Sequence, residues 1–200
     1  MLRVGLTGSI GMGKSATAKL LREAGVPVFD SDATVHKLYA PGGAAVEPVG
    51  KAFPGVVVDG AIDRRRLSEA LSANPDGFAR LEEIVHPLVS AARETFVATQ
   101  AEAGHDIVVF DVPLLFETGG DRHVDTIIVV HAPDDVRRAR VLQRPGMTAA
   151  KLDAIIARQM DDSSKLARAD HVIETSGGLA DAGRQVDAII KKLRARAGHS

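Results

Sequence analysis

The chain has 200 residues, 45% hydrophobic and 26% charged, the balance of a globular protein able to build a core. With 25 Lys+Arg against 26 Asp+Glu the formal net charge is -1, so no basic field favours nucleic acid and anion recognition has to be local. The absence of cysteine excludes a disulfide framework, a thiolate zinc site and a cysteine nucleophile.

The first β-like run, residues 2–7, leads directly into Gly8-Ser9-Ile10-Gly11-Met12-Gly13-Lys14-Ser15. This is the Gly-x-x-x-x-Gly-Lys-Ser pattern of a phosphate-binding loop, in the required context of a strand before it and a helix after it, ended by Gly25. Glycines at Gly8, Gly11 and Gly13 let backbone N–H groups from Gly11 through Met12 to Ala16 face phosphates that side chains would block, and the helix N-terminus adds its positive end. Lys14 is expected at the β/γ-phosphates and the Ser15 hydroxyl on Mg2+.

A second run, residues 26–30, ends in Asp30-Ser31-Asp32. Ligands of open α/β sheets gather beyond the carboxyl ends of strands, so a carboxylate there can take a proton from an attacking hydroxyl. Asp32 is equally well placed to N-cap a helix beginning near Ala33, and both readings stand on the residues alone. From Asp32 to Gly104 the strand rhythm stops. Helices are expected at 64–71 and 77–99, with Asn74-Pro75-Asp76 as turn and start signal, and Val56-Val57-Val58 is too short for a convincing buried strand. This segment reads as a helical insertion suited to a second substrate.

The third run, 106–111, ends at Asp111 and continues as Val112-Pro113-Leu114-Leu115-Phe116-Glu117. An acid at a strand end resembles a Walker B carboxylate supporting Mg2+, while the apolar stretch suits packing on a ligand or on the insertion. After the fourth run, 124–131, a helix over 133–144 carries Asp134 and Asp135 at its start and arginines toward its end, as the helix dipole favours. At about 100° per residue Arg137, Arg140 and Arg144 share a face, and Arg138 turns away to pair with Asp134. Such a stripe is either a solvated charged face or a set of planar forks converging on triphosphate oxygens. Pro145-Gly146 stops this helix, Thr148 caps another running to about Asp161, a fifth strand occupies 171–174, and an amphipathic helix covers 179–196.

Valine- and isoleucine-rich strands alternating with helices predict an α/β fold, a doubly wound parallel five-stranded sheet flanked by helices. The seven histidines, His36, His86, His105, His123, His131, His171 and His199, have no metal-ligand spacing, and structural or surface roles are the default. No apolar run approaches the roughly 20 residues of a membrane span and no signal-peptide pattern precedes the first strand, so the expected location is the cytoplasm.

Read in order, the phosphate loop, Asp30-Ser31-Asp32, Arg64 in Ile62-Asp63-Arg64, His86-Pro87-Leu88, Val112-Pro113-Leu114-Leu115-Phe116-Glu117 and Gln143-Arg144 resemble the dephospho-CoA kinases, over nearly the whole chain to about Gly177. The resemblance implies a P-loop kinase fold of three parts: a nucleotide-binding core at 1–31 and 105–200, a helical CoA-substrate insertion at about 32–104, and a lid at about 134–162. It implies ATP and Mg2+, and transfer of the γ-phosphate to the ribose 3′-hydroxyl of dephospho-CoA, the last step of coenzyme A synthesis, with no nucleic-acid or membrane partner. It makes Asp32 the base and Arg140 and Arg144 lid arginines, Arg137 being a weaker match. Arg64, His86, Pro113 and Leu114 fall in acceptor-side motifs. Ser9 and Met12 depart from the family's usual small residues, and Glu174 and Thr175 stand where it often has Asp-Asn, so no base contact carries over. Another small P-loop kinase is the nearest rival; a GTP switch lacks support because neither Asn-Lys-x-Asp nor Asp-x-x-Gly occurs.

Overall fold

The computed structural model describes residues 1–198; His199 lies outside the described residues. In chain order the elements are β1 (Leu2–Thr7), α1 (Lys14–Glu23), β2 (Val28–Asp30), α2 (Ser31–Tyr39), α3 (Val46–Ala52), β3 (Val57–Val58), β4 (Ala61–Ile62), α4 (Arg64–Ser72), α5 (Gly77–Glu102), β5 (Ile107–Asp111), a 3₁₀ turn (Gly120–His123), β6 (Thr126–His131), α6 (Asp134–Leu142), α7 (Ala149–Ile156), α8 (Asp162–Ala167), β7 (His171–Glu174) and α9 (Leu179–Ala197).

Five strands form one sheet in the order β2-β5-β1-β6-β7. β1 is its centre, pairing in parallel with β5 (Val4 opposite Val109) and with β6 (Leu6 opposite Ile128). β7 continues in parallel from β6, with Val130 opposite Ile173. At and beside this central strand Val4, Leu6, Val109 and Ile128 are fully buried, as in a parallel sheet whose faces are covered by helices. α1 and α9 seal one core, Leu21 from α1 and Val186 and Ile190 from α9 packing with the strands. The five-stranded α/β expectation holds, with strand starts two residues later at β2 and β6 and one later at β5 than the apolar runs suggest.

The chain folds as two compact units, one of Met1–Phe29 with the chain from Gln100 onward, the other Asp30–Thr99. The second has its own core of Tyr39, Val49, Phe53, Val56, Ile62, Leu67, Leu71 and Val85. The residue pattern predicts a wholly helical insertion, and the structure corrects this. Val57–Val58 and Ala61–Ile62 pair as a small antiparallel hairpin, with Asp59 at φ 51 and Gly60 at φ 76 in the turn. The valine run is too short to signal a strand by periodicity, but Asp-Gly is a strong hairpin turn.

Helix limits differ where side chains redirect the backbone. Pro133 stands before α6, not within it, and Thr148 caps α7 by accepting the Lys151 N–H at 3.2 Å. The helix expected to run to Asp161 breaks at Ile156, and Asp161 itself caps the separate α8, accepting the Ser164 N–H at 2.8 Å.

Ile128 on β6 is fully buried in the sheet core. Ile128→Ala is expected to lower unfolding free energy by about 2–5 kcal/mol, read from urea midpoints.

Candidate active site

The phosphate loop leaves the carboxyl end of the central strand and enters α1 through Gly13, whose φ of 94 lies in the left-handed region. Gly11 has φ 80, and a Cβ there would come within 2.5 Å of Val141 Cγ2. Both glycines are thus required by conformation and, at Gly11, by space. Lys14 is ion-paired with Asp111 at the end of the neighbouring strand β5. Ser15 is exposed in the first turn of α1, and Ala16 lines the adjoining cavity. Met12 departs from its expected use: its amide donates to Ser9 O at 3.2 Å, and its side chain, 2% exposed, joins the sheet core. The Met12 sulfur accepts the Ala132 N–H at 3.1 Å. The methionine side chain thereby fills part of the core beside the loop.

The three arginines of the expected stripe have different fates. Arg140 donates to Thr175 Oγ1 at 2.9 Å, to Thr175 O at 2.7 Å and to Gly11 O at 3.5 Å, bridging the loop and the end of β7. Arg144 is exposed. With Arg140 it lines a cavity of about 290 Å³ bounded also by Gly11, Gly13, Thr175 and Leu179. Arg137 does not line this cavity. It is 7% exposed and held by Asp134 and by Asp162, the latter at 2.7 Å. Arg138 turns away as expected, pairing with Asp134 at 2.9 Å and Asp153 at 2.7 Å.

Beyond β5, the Thr7 hydroxyl donates to Pro113 O at 3.2 Å, Leu114 is 39% exposed, and Leu115 and Phe116 are buried, 1% and 6% exposed. Only Leu114 of the apolar stretch faces outward. Glu117 pairs with Lys165 at 2.9 Å and accepts the Met160 N–H at 2.8 Å. Burial pushes its carboxyl up, but the Lys165 ammonium and the Met160 amide outweigh this and hold it below the usual glutamate range.

In the unit Asp30–Thr99, the cap of α2 falls two residues before the expected Asp32. Asp30 is the N-cap of α2, its Oδ1 accepting the Ala33 N–H at 2.9 Å, and Asp32 sits exposed in the first turn. The Asp32 carboxylate is therefore not spent on capping. Arg64 donates to His36 Nδ1 at 3.0 Å and lies 6.0 Å from the centroid of the Tyr39 ring. Since a guanidinium cannot accept, that contact makes His36 Nδ1 the acceptor. His86 is exposed on α5 beside the in-helix Pro87.

Sequence reasoning missed Gln159, Asp162, Lys165 and the cavity wall at Gly178, Leu179 and Ala182, and it gave Thr175 no contact. Nothing local marks these residues; they reach the loop through folding from more than 140 positions away. Among the described residues no group of three or more His, Cys, Asp or Glu is arranged to hold a metal ion, and no helix is long and apolar enough to cross a membrane.

A glycine-built phosphate loop at the carboxyl end of a central parallel strand, its lysine beside a strand-end acid, defines a P-loop kinase, a phosphotransferase consuming a nucleoside triphosphate. A dephospho-CoA kinase family model matches residues 2–181, and the chain belongs to that family. It is 52% identical over 198 residues to a dephospho-CoA kinase of Mesorhizobium japonicum, covering 99% of this chain and 100% of that one. A Thermus thermophilus crystal structure superposes with TM-score 0.81 at 34% identity, covering 96% of this chain and 97% of its own. The dephospho-CoA kinase of Campylobacter jejuni shares the fold, with TM-score 0.64 at 22% identity and 96% coverage of each chain.

Because the Glu117 carboxyl is held low when folded, its pairing stabilises the protein above the ordinary glutamate range and is lost as pH falls through the depressed value. Glu117→Gln is expected to be less stable than the parent at neutral pH, the gap closing as acid protonates the parent. Chemical denaturation from pH 7 down to pH 3 measures it.

Proposed function

We propose that this protein transfers the γ-phosphate of ATP to the ribose 3′-hydroxyl of dephospho-CoA, giving coenzyme A and ADP. The phosphoryl-transfer half rests on one observation, the loop with Gly11 and Gly13 at φ 80 and 94 opening α1 beside the Lys14–Asp111 pair. The acceptor half rests on family membership.

The amides of Gly11, Gly13, Lys14, Ser15 and Ala16 hold the phosphates, and the α1 N-terminus adds its dipole. Lys14 exchanges Asp111 for the β/γ-phosphates when ATP binds. Mg2+ requires no all-protein cage, since one or two protein groups with phosphate and water oxygens suffice; the exposed Ser15 hydroxyl would hold it, with Asp111 a candidate for indirect support. Bound there, the ion neutralises charge that builds on the phosphates during transfer.

The cavity beside Arg140, Arg144, Thr175 and Leu179 suits the adenine and ribose, with Arg144 supplying a planar face or a phosphate fork. Arg137, consumed in its own ion pairs, positions α6 and does not touch the nucleotide. Asp32 accepts the proton of the attacking 3′-hydroxyl as that oxygen bonds to the γ-phosphorus and the bond to the β–γ bridging oxygen breaks, releasing ADP. Arg64, His86, Pro113 and Leu114 serve the acceptor, and the insertion at about 32–104, whose compact part is Asp30–Thr99, is the acceptor unit. The segment at about 134–162 acts as the lid, which excludes water that would otherwise hydrolyse ATP. A cytoplasmic location fits an ATP-consuming step on a small metabolite.

Asp32→Asn is expected to lower kcat by about 10²–10⁴-fold while leaving ATP affinity near that of the parent. Near-normal turnover in a coupled ADP-release assay would remove Asp32 as the base. The same assay run on dephospho-CoA, nucleoside monophosphates and nucleosides tests the acceptor, and a preference for anything but dephospho-CoA overturns it.

A further inference from the structure

Among the described residues Lys165 is the largest fully buried side chain, 1% exposed, and no step of phosphoryl transfer uses it. Burying an ammonium is costly unless it is paired and hydrogen-bonded, so its partners indicate its purpose. They are Glu117 at 2.9 Å and the hydroxyl of Ser9, inside the phosphate loop, at 3.2 Å. Ser9 Oγ in turn donates to Asp162 Oδ1 at 2.6 Å, and Asp162 Oδ2 accepts from Arg137 at 2.7 Å. The result is an unbroken polar chain Glu117–Lys165–Ser9–Asp162–Arg137. Ser9 is its only neutral member and its only member on the loop. The hydroxyl accepts from one side and donates to the other, a combination that alanine or glycine lacks.

The same segment claims a second group of the loop. Gln159 Oε1 accepts the Ile10 N–H at 3.1 Å. Ser9 Oγ and Ile10 N–H are thus both held by residues 159–165, and the Ser9 carbonyl orients the next turn by accepting the Met12 N–H at 3.2 Å. The front half of the loop is fixed from outside, while the amides nearer Gly13 remain available to an anion.

We infer that Ser9 and Lys165 are positioning residues for the phosphate loop: the buried chain through the Ser9 hydroxyl fixes the loop in its phosphate-accepting shape and so sets affinity for ATP and not for the acceptor. Neither residue touches the nucleotide; both act through the backbone of residues 9–12. The inference rests on the reading of residues 8–15 as the ATP phosphate loop.

Ser9→Ala removes the central hydroxyl and leaves the Lys165–Glu117 pair in place. Its ATP dissociation constant, measured by direct calorimetric titration, is expected to rise about tenfold, as loss of a hydroxyl bonded to two charged groups predicts. KM for dephospho-CoA should stay within about twofold, with an unchanged circular dichroism spectrum. Ser9→Thr, which restores a hydroxyl, should recover most of the ATP affinity. Lys165→Met should show the same selective loss of ATP affinity. ATP binding by Ser9→Ala equal to the parent, or an equal loss for ATP and dephospho-CoA, overturns the inference. The titration needs no turnover, so a parent that binds ATP but does not phosphorylate dephospho-CoA would sink the acceptor reading while this test still reads out.

Discussion

A loop that offers successive backbone N–H groups to an anion cannot also satisfy them within itself, so its shape has to be imposed by its surroundings. In this protein that constraint organises much of the larger unit. β1 delivers the loop from the centre of the sheet, and α1 receives it at the left-handed Gly13. The loop's other polar groups are met from elsewhere: Gly11 O by Arg140, Met12 O by the Thr175 hydroxyl at 2.8 Å, Ile10 N–H by Gln159, and Ser9 Oγ by Lys165 and Asp162. Residues between 137 and 175 therefore form a mould for a loop at the start of the chain.

That mould is largely ionic, and it carries its own cost. Arg137 and Lys165 are only 7% and 1% exposed, and each is retained by carboxylates that would be costly to leave unpaired. A mould of leucines could hold the loop by volume, but it could not reach specific backbone and hydroxyl groups. Directional hydrogen bonds can, which accounts for charged groups at a place where apolar packing would be cheaper. Asp161 contributes by fixing where α8 begins: hydrogen bonds from Ser163 and Ser164 lower its carboxyl to about 2, so the cap stays charged further into acid than an ordinary aspartate. α8 starting at Asp162 is what brings Asp162 and Lys165, one turn apart, to the same hydroxyl.

How far the site was legible follows from how local each signal is. The glycine spacing, the lysine and the strand-to-helix setting lie within fifteen residues and could be read directly. The Asp30-Ser31-Asp32 stretch announced both a cap and a base, but the assignment depended on which residue turned out of the strand first; Asp30 caps and Asp32 does not. The arginine spacing predicts one helix face, and α6 carries Arg137 and Arg140, while Arg144 lies two residues past the helix end at Leu142. A face is only a direction, and the partners on it sent Arg137 into ion pairs and Arg140 and Arg144 to the cavity. The Asp59-Gly60 hairpin escaped because two-residue strands have no period to detect.

The amino-acid sequence by itself determined the α/β sheet, the phosphate loop and the order of motifs that marks the family, because hydrophobic periodicity and glycine spacing act over a few neighbouring residues. Only the tertiary structure decided which carboxylate caps and which stays open, that Met12 belongs to the core, and that Lys165 lies against Ser9. The last of these joins residues 156 positions apart, and no local pattern contains its geometry.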